Sequence, residues 1–205
     1  MNLYLIRHGQ SEGNVSGIKG LDPPMTGLGH QQIQRTAEVL HKIGMTHLYC
    51  SPLIRAMQTA QTFREQLHLE PIVNPVFCET WGTDWNARKK EELQRVFPWA
   101  TLPDALNTLW WPQIAETSRE IMQRAKNALE LLRQKHWGTS HRICLVSHIM
   151  FGSSLINEIL EIPTHTDIFF QLRNASCTHI VLEEDHRRVV QSLNDVHHLP
   201  PHLWT

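Results

Sequence analysis

The sequence predicts an α/β fold, a three-layer α/β/α sandwich around a mostly parallel sheet, and three observations carry that expectation. Short apolar runs at residues 3–6, 47–50 and 143–146 alternate with longer stretches whose apolar residues recur at helical spacing. The run 143–146 is nearly all apolar, as expected of a strand covered on both faces. A polar cluster follows each run: Arg7-His8, then Ser51 through Arg55, then His148. In an open α/β sheet the strand carboxyl ends share one edge, and ligands bind there. The three clusters are therefore expected to meet.

Taken in order, residues 3–6 form a strand that breaks at Gly9, and a glycine-containing loop runs through Gly20 to Asp22-Pro23-Pro24. Thr26 is placed to cap a helix with Ile33, Ala37 and Leu40 on its inner face. After the strand at 47–50, Ser51-Pro52 reads as a helix start, serine capping and proline at the first helical position. Ala56, Ala60, Phe63 and Leu67 then stripe that helix. A short strand follows at 72–73 or nearer 76–78. Residues 80–113 lose periodicity and hold Trp81, Trp85, Trp99, Trp110 and Trp111, which reads as an insertion packed over one end of the sheet. A helix over 115–135 turns Ile121, Ala125, Ala128 and Leu132 inward, 143–146 is the buried strand, and 151–160 is helical. Strands are expected near 167–172, 177–182 and 189–193. The whole chain, 1–205, reads as one domain with the tryptophan-rich insertion at about 80–113.

Composition narrows the function. A net charge of −1 and a pI near 6.9 argue against nucleic acid and anionic membranes as partners. No apolar run nears the roughly 20 residues that span a bilayer, and Met1 leads directly into a strand with no signal-peptide pattern, so a cytoplasmic protein is expected. Cys50, Cys78, Cys144 and Cys177 have neither zinc nor disulfide spacing and read as buried thiols. Histidine is abundant, with 14 copies, yet no spacing marks a metal site. Neither metal nor cofactor is expected, and nothing sets the oligomeric state.

Two arginines and two histidines around one cleft make an anion site. Guanidinium forks match phosphate oxygens, and helix amino termini add N–H donors. Phosphoryl transfer needs mainly positioning and charge neutralisation, which this set supplies. A histidine kept neutral by nearby arginines can also act as nucleophile. The leaving alkoxide needs a proton, and Glu79, just past a strand, is the candidate acid.

These residues sit in blocks that resemble the histidine phosphatase superfamily, the phosphoglycerate mutase-like fold. The blocks are Arg7-His8-Gly9-Gln10-Ser11-Glu12-Gly13-Asn14, Pro24-Met25-Thr26-Gly27-Leu28-Gly29 and Ser51-Pro52-Leu53-Ile54-Arg55-Ala56-Met57-Gln58-Thr59-Ala60. Glu79, Val146-Ser147-His148 and Leu193-Asn194-Asp195 extend the similarity almost to the C-terminus. The resemblance implies that His8 is phosphorylated and that Arg7, Arg55 and His148 form the phosphate pocket. It implies Asn14 as a further phosphate contact, Glu79 as proton donor, and no metal. Two departures are visible: Ile149 follows His148 where glycine is usual, and Gly82 falls one residue early after Glu79.

The expected function is hydrolysis of a phosphomonoester, a small phosphorylated metabolite or a phosphoprotein, through phosphorylated His8. A mutase that returns the phosphoryl group to another hydroxyl is the alternative, and a non-catalytic phosphate-binding module is a second. Arg88-Lys89-Lys90 reads either as a solvated face or as a second clamp for a distal anionic group.

Overall fold

The computed structural model describes residues 1–17, 22–80, 87–107, 115–163 and 168–205. Its strands are β1 (Asn2–Arg7), β2 (His47–Cys50), β3 (Pro71–Val73), β4 (Arg142–Ser147), β5 (Cys177–Leu182) and β6 (Arg188–Asp195). Its helices are α1 (Glu12–Ser16), α2 (Gly27–Ile43), α3 (Ile54–Leu67), α4 (Lys90–Val96), α5 (Ser118–His136) and α6 (Ile149–Ile159).

The strands form one sheet in the order β3-β2-β4-β1-β5-β6. The pairings β3–β2, β2–β4 and β4–β1 are parallel, whereas β1–β5 and β5–β6 are antiparallel. The α/β fold is as expected, with a mixed sheet whose later strands run as an antiparallel extension. Side chains alternate across the strands. Tyr4, Ile6, Leu48, Cys50, Cys144 and Val146 face one way, onto Ile33, Ala37 and Leu40 of α2 and Ala56, Ala60 and Phe63 of α3. Leu3, Leu5, Tyr49, Ile143 and Leu145 face the other way, onto Ile121, Ala125, Ala128 and Leu132 of α5 and Phe151, Leu155 and Ile159 of α6.

Several boundaries shift for physical reasons. Thr26 caps α2 as expected, its side chain accepting from Gly29 N. The helix expected at Ser51-Pro52 starts only at Ile54, because the Asp22 carboxylate accepts from Ile54 N at 2.9 and 3.0 Å and supplies the cap from a distant loop. The strand expected near 72–73 is β3, and Pro75–Phe77 is a 3-10 turn. Within the described part of 167–172, residues 168–172 are not a strand. Their backbone bonds go to side chains instead: Phe170 N donates to Ser153 Oγ at 2.8 Å, and Leu172 O accepts from Arg7 Nη1 at 2.7 Å. Residues 87–107 hold α4, which the sequence reading missed, and bury Leu93, Phe97 and Leu106 in the core on the α2–α3 side. Trp99 packs on Phe97 at 5.8 Å, while Trp81, Trp85, Trp110 and Trp111 lie outside the described residues, as do Gly20, Gly82 and Asp167.

The thiols are free, with Cys50, Cys78 and Cys144 buried and Cys177 half-buried. Burial pushes Cys78 and Cys177 up to about 12, which leaves both as protonated, unreactive groups. Among the described residues no helix is long and apolar enough to cross a membrane.

Candidate active site

Parallel register brings the three polar clusters to one edge. Arg7 pairs with Ser147 across β1 and β4, and Cys50 pairs with Val146 across β2 and β4. The ladder runs on just past the strands, with His8 N donating to Ser147 O at 3.0 Å and Ser51 N to Val146 O at 3.2 Å. His8, Ser51 and His148 therefore leave the sheet side by side.

Glycine permits the close approach that seats His8. A Cβ at Gly9 would lie 2.6 Å from Gly29 O, and one at Gly29 would lie 2.1 Å from Gln10 O. Any side chain at either position would force the loop off the start of α2. Behind the loop, Asn174 Nδ2 donates to His8 O and to Asn14 Oδ1, both at 3.1 Å. Ala175, at φ 58°, donates its N–H to Arg7 O at 3.0 Å, so a left-handed alanine is held against the same loop.

His8 is buried, and its Nδ1 lies 2.7 Å from Gly9 O. A carbonyl only accepts, so Nδ1 carries the proton and Nε2 holds the lone pair. Arg55 Nε donates to that Nε2 at 3.1 Å. Burial first, then the charges of Arg55 and Arg7, holds the ring well below the usual histidine range and keeps it neutral. His148 lies beside it, ring centroids 5.1 Å apart, with Nε2 at 2.8 Å from Ser51 Oγ. Burial and then Arg55 also hold His148 well below its ordinary value. Burial lowers Arg7 to about 10, against the opposing pull of Glu79.

Two nitrogens of this cluster, His148 Nδ1 and Arg7 Nε, are buried without a hydrogen-bond partner among the described residues. A buried guanidinium N–H left unpaired, as at Arg7 Nε, is costly, and a bound oxyanion would supply its acceptor. The cluster is thus charged and donor-rich around a neutral histidine.

Glu79 sits across from the arginines at the amino terminus of α6. Its Oε1 accepts from Phe151 N at 3.0 Å and Thr80 N at 2.9 Å, and its Oε2 from Met150 N at 3.3 Å. Glu79 therefore caps α6, which His148 begins without a side-chain cap. Ile149, the departure noted in the sequence, is half-buried and packs on the α5–α6 core. Asn14 lies in α1, six residues past His8. Its Oδ1 accepts from Ser11 N at 3.0 Å and from Asn174, which ties this exposed residue to the His8 loop.

Sequence reasoning missed the residues that hold this set in place. Asp22 pairs with Arg55 Nη1 at 3.4 Å, and burial, opposed by Arg55, raises its carboxyl to about 6. Arg124 of α5 donates to Val76 O, Cys78 O and Glu79 O at 3.1, 2.6 and 3.2 Å. It is anchored by Glu116 at 2.6 Å and lies over the Phe151 ring at 4.7 Å. It thereby fixes the turn that delivers Glu79. A charged residue on the inward stripe of an otherwise apolar helix face was the available signal. Of the basic run, Lys90 pairs with Asp104, Lys89 stands at the N-cap position of α4 without a side-chain hydrogen bond to the helix, and Arg88 pairs with Glu92 at 4.0 Å while its charge reaches Asp22.

With this geometry in place, similarity to known proteins has a structural meaning. The model of the histidine phosphatase superfamily (branch 1) matches residues 3–196. The chain belongs to that family. It is 29% identical to phosphoserine phosphatase 1 of Hydrogenobacter thermophilus, over 97% of this chain and 94% of that protein. It is 28% identical to a probable phosphoglycerate mutase, GpmB, of Escherichia coli, over 97% of this chain and 95% of that one. Among solved structures, a mycobacterial glucosyl-3-phosphoglycerate phosphatase with VO3 superposes with a TM-score of 0.71 at 26% identity, over 95% of this chain and 99% of that one. Histidine phosphatase family members of this kind are enzymes acting on phosphates.

Proposed function

We propose that the chain is a phosphomonoesterase that carries the phosphoryl group on His8 Nε2. The observation that carries this reading is the His8 environment: Nδ1 is tied to Gly9 O, leaving Nε2 as a neutral nucleophile against Arg55. In the first step the Nε2 lone pair attacks phosphorus in line, and the bond from phosphorus to the leaving oxygen breaks. Arg7, Arg55 and His148 take up the equatorial oxygen charge, with Asn14 as a further contact. Glu79 donates a proton to the departing oxygen and is left as a carboxylate. In the second step that carboxylate takes a proton from water, the resulting oxygen attacks phosphorus, and the N–P bond breaks to return neutral His8 and release phosphate.

The substrate is a small phosphorylated metabolite. Phosphoserine and glucosyl-3-phosphoglycerate, named for relatives, both pair a phosphomonoester with a carboxylate, and Arg88, whose charge reaches Asp22 beside Arg55, is the candidate partner for that second anion. The similarity to a mutase-named relative gives the second reading, transfer to another hydroxyl in place of water. A release assay over carboxylated and uncarboxylated phosphomonoesters, run beside transfer to 3-phosphoglycerate, separates the two. Phosphate release faster than transfer is expected. Transfer outpacing release would make the protein a mutase.

A further inference from the structure

Opposite the active site, where β2 and β4 begin, three histidines converge. His47 opens β2, His141 immediately precedes β4, and His136 closes α5. Each offers a ring nitrogen, and these nitrogens lie within 4.8 Å of one another. His136 Nδ1 and His141 Nδ1 are 2.9 Å apart, and the His47 ring lies 4.4 Å from each of the other two rings. We propose that His47, His136 and His141 form a divalent metal site of the zinc class, remote from the catalytic centre, with a water completing the coordination.

Zinc takes imidazole nitrogens at about 2.0–2.1 Å, which puts two of them about 3.3 Å apart in a tetrahedral shell. The His136–His141 approach needs only a few tenths of an ångström of opening. The sequence separation of these two, four intervening residues, falls within the H-x3–5-H range of zinc ligand pairs. His47, nearly ninety positions earlier, joins them only because β2 and β4 pair, with His47 opposite Ile143. That tertiary step is why the pair alone marked no metal site in the sequence.

Ligating histidines are oriented by partners on their other nitrogen, and this cluster has them. His136 Nε2 lies 2.8 Å from the hydroxyl of Tyr49, which is fully buried in β2. With the metal on Nδ1, Nε2–H donates to that hydroxyl. Thr46 Oγ donates to Arg142 O at 3.1 Å and lies 2.9 Å from His47 Nδ1, so Nδ1–H donates to it and Nε2 keeps the lone pair. Thr139 braces the intervening turn, donating to His136 O at 2.7 Å and accepting from His141 N at 3.2 Å. Each ring must be neutral to ligate, with one nitrogen free of its proton. Lys135 and the Met1 ammonium also act on His136 and oppose a cation, so the affinity rests on coordination bonds and not on the local field.

The same groups can close without a metal as a proton chain, Tyr49 O–H to His136 Nε2 and His136 Nδ1–H to His141 Nδ1. Metal binding replaces that shared proton by moving it to Nε2, with no net proton lost. The two states are therefore distinguishable. Metal-stripped full-length protein is titrated with Zn2+ by calorimetry and thermal melting, and with Co2+ by visible absorption. The expected result is one ion per chain, a Tm raised by about 5–10 °C at a hundredfold excess over Kd, and a shift of the His136 proton from Nδ1 to Nε2 in 15N-edited spectra. His47→Ala and His141→Ala, both at half-buried positions, abolish the binding, Tyr49→Phe weakens it about 10–100-fold, and His8→Asn leaves it unchanged. Absence of stoichiometric binding with His136 keeping its Nδ1 proton would overturn the site. So would binding that survives both His47→Ala and His141→Ala.

Discussion

The two edges of the sheet both gather histidines and give them opposite company. At the carboxyl edge, His8 and His148 stand among Arg7 and Arg55, with Arg7 Nε buried and unpaired among the described residues. At the amino edge, His47, His136 and His141 face one another and a tyrosine, and the nearby cations act only as charges. Burial lowers His8 and His148 at one end and His47 and His136 at the other, so that shift does not set the chemistry. The neighbours do: guanidinium groups make one cluster receptive to an oxyanion, and converging lone pairs make the other receptive to a cation.

Substitutions at the carboxyl edge break this contrast most sharply. His8→Ala is expected to lower phosphate release by roughly 10,000-fold or more, since loss of a nucleophile is the costliest class of change, while circular dichroism stays native. Retention of a tenth of wild-type activity in a steady-state assay would remove His8 from the nucleophile role. Arg124→Ala should cost about 3–5 kcal/mol of stability in urea titration, because it strands buried Glu116. It should also lower kcat, since the turn bearing Glu79 loses three carbonyl contacts. A variant that keeps stability but loses kcat would place Arg124 at the substrate itself. Arg55→Ala removes a donor in contact with His8 and should lower kcat about 100- to 1,000-fold, with Arg55→Lys recovering little because a point charge cannot reproduce the fork.

The smallest effect expected is on pH. His8 and His148 have folded values well below the ordinary histidine value, so the unfolded chain binds protons there that the folded chain does not. Their stability contribution is complete above about pH 6.5 and is lost as pH falls below it, by up to about 1.4 kcal/mol per pH unit for each ring. Urea midpoints at pH 7.5 and 5.5 should show this loss, and His148→Asn should make it shallower. An unchanged slope would mean that His148 is not held neutral by its surroundings.

Much of this was legible in the sequence because strand–helix alternation places residues by topology. His8, Arg55 and His148 follow three separate strands, and parallel register alone brings them together. What escaped depended on tertiary pairing. Asp22 caps α3 from a loop and so displaces the helix start from Ser51-Pro52 to Ile54. Asn174 and Arg124 do their work on backbone carbonyls, which no side-chain pattern reveals. The stretch 168–172 is apolar enough to read as a strand, yet its backbone is satisfied by Ser153 and Arg7. The His47 cluster stayed hidden for the same reason, since β2 and β4 are adjacent in space and far apart in the chain.

The central claim is that one nitrogen of one histidine carries the phosphoryl group. Rapid mixing with a turned-over phosphomonoester, an alkaline quench and tandem mass spectrometry of the peptides test it directly. A phosphoryl group on His8, stable in alkali, lost in acid and absent from His8→Ala, is the expected result. A phosphoryl group trapped on His148, or full turnover with no covalent intermediate on any residue, would contradict it.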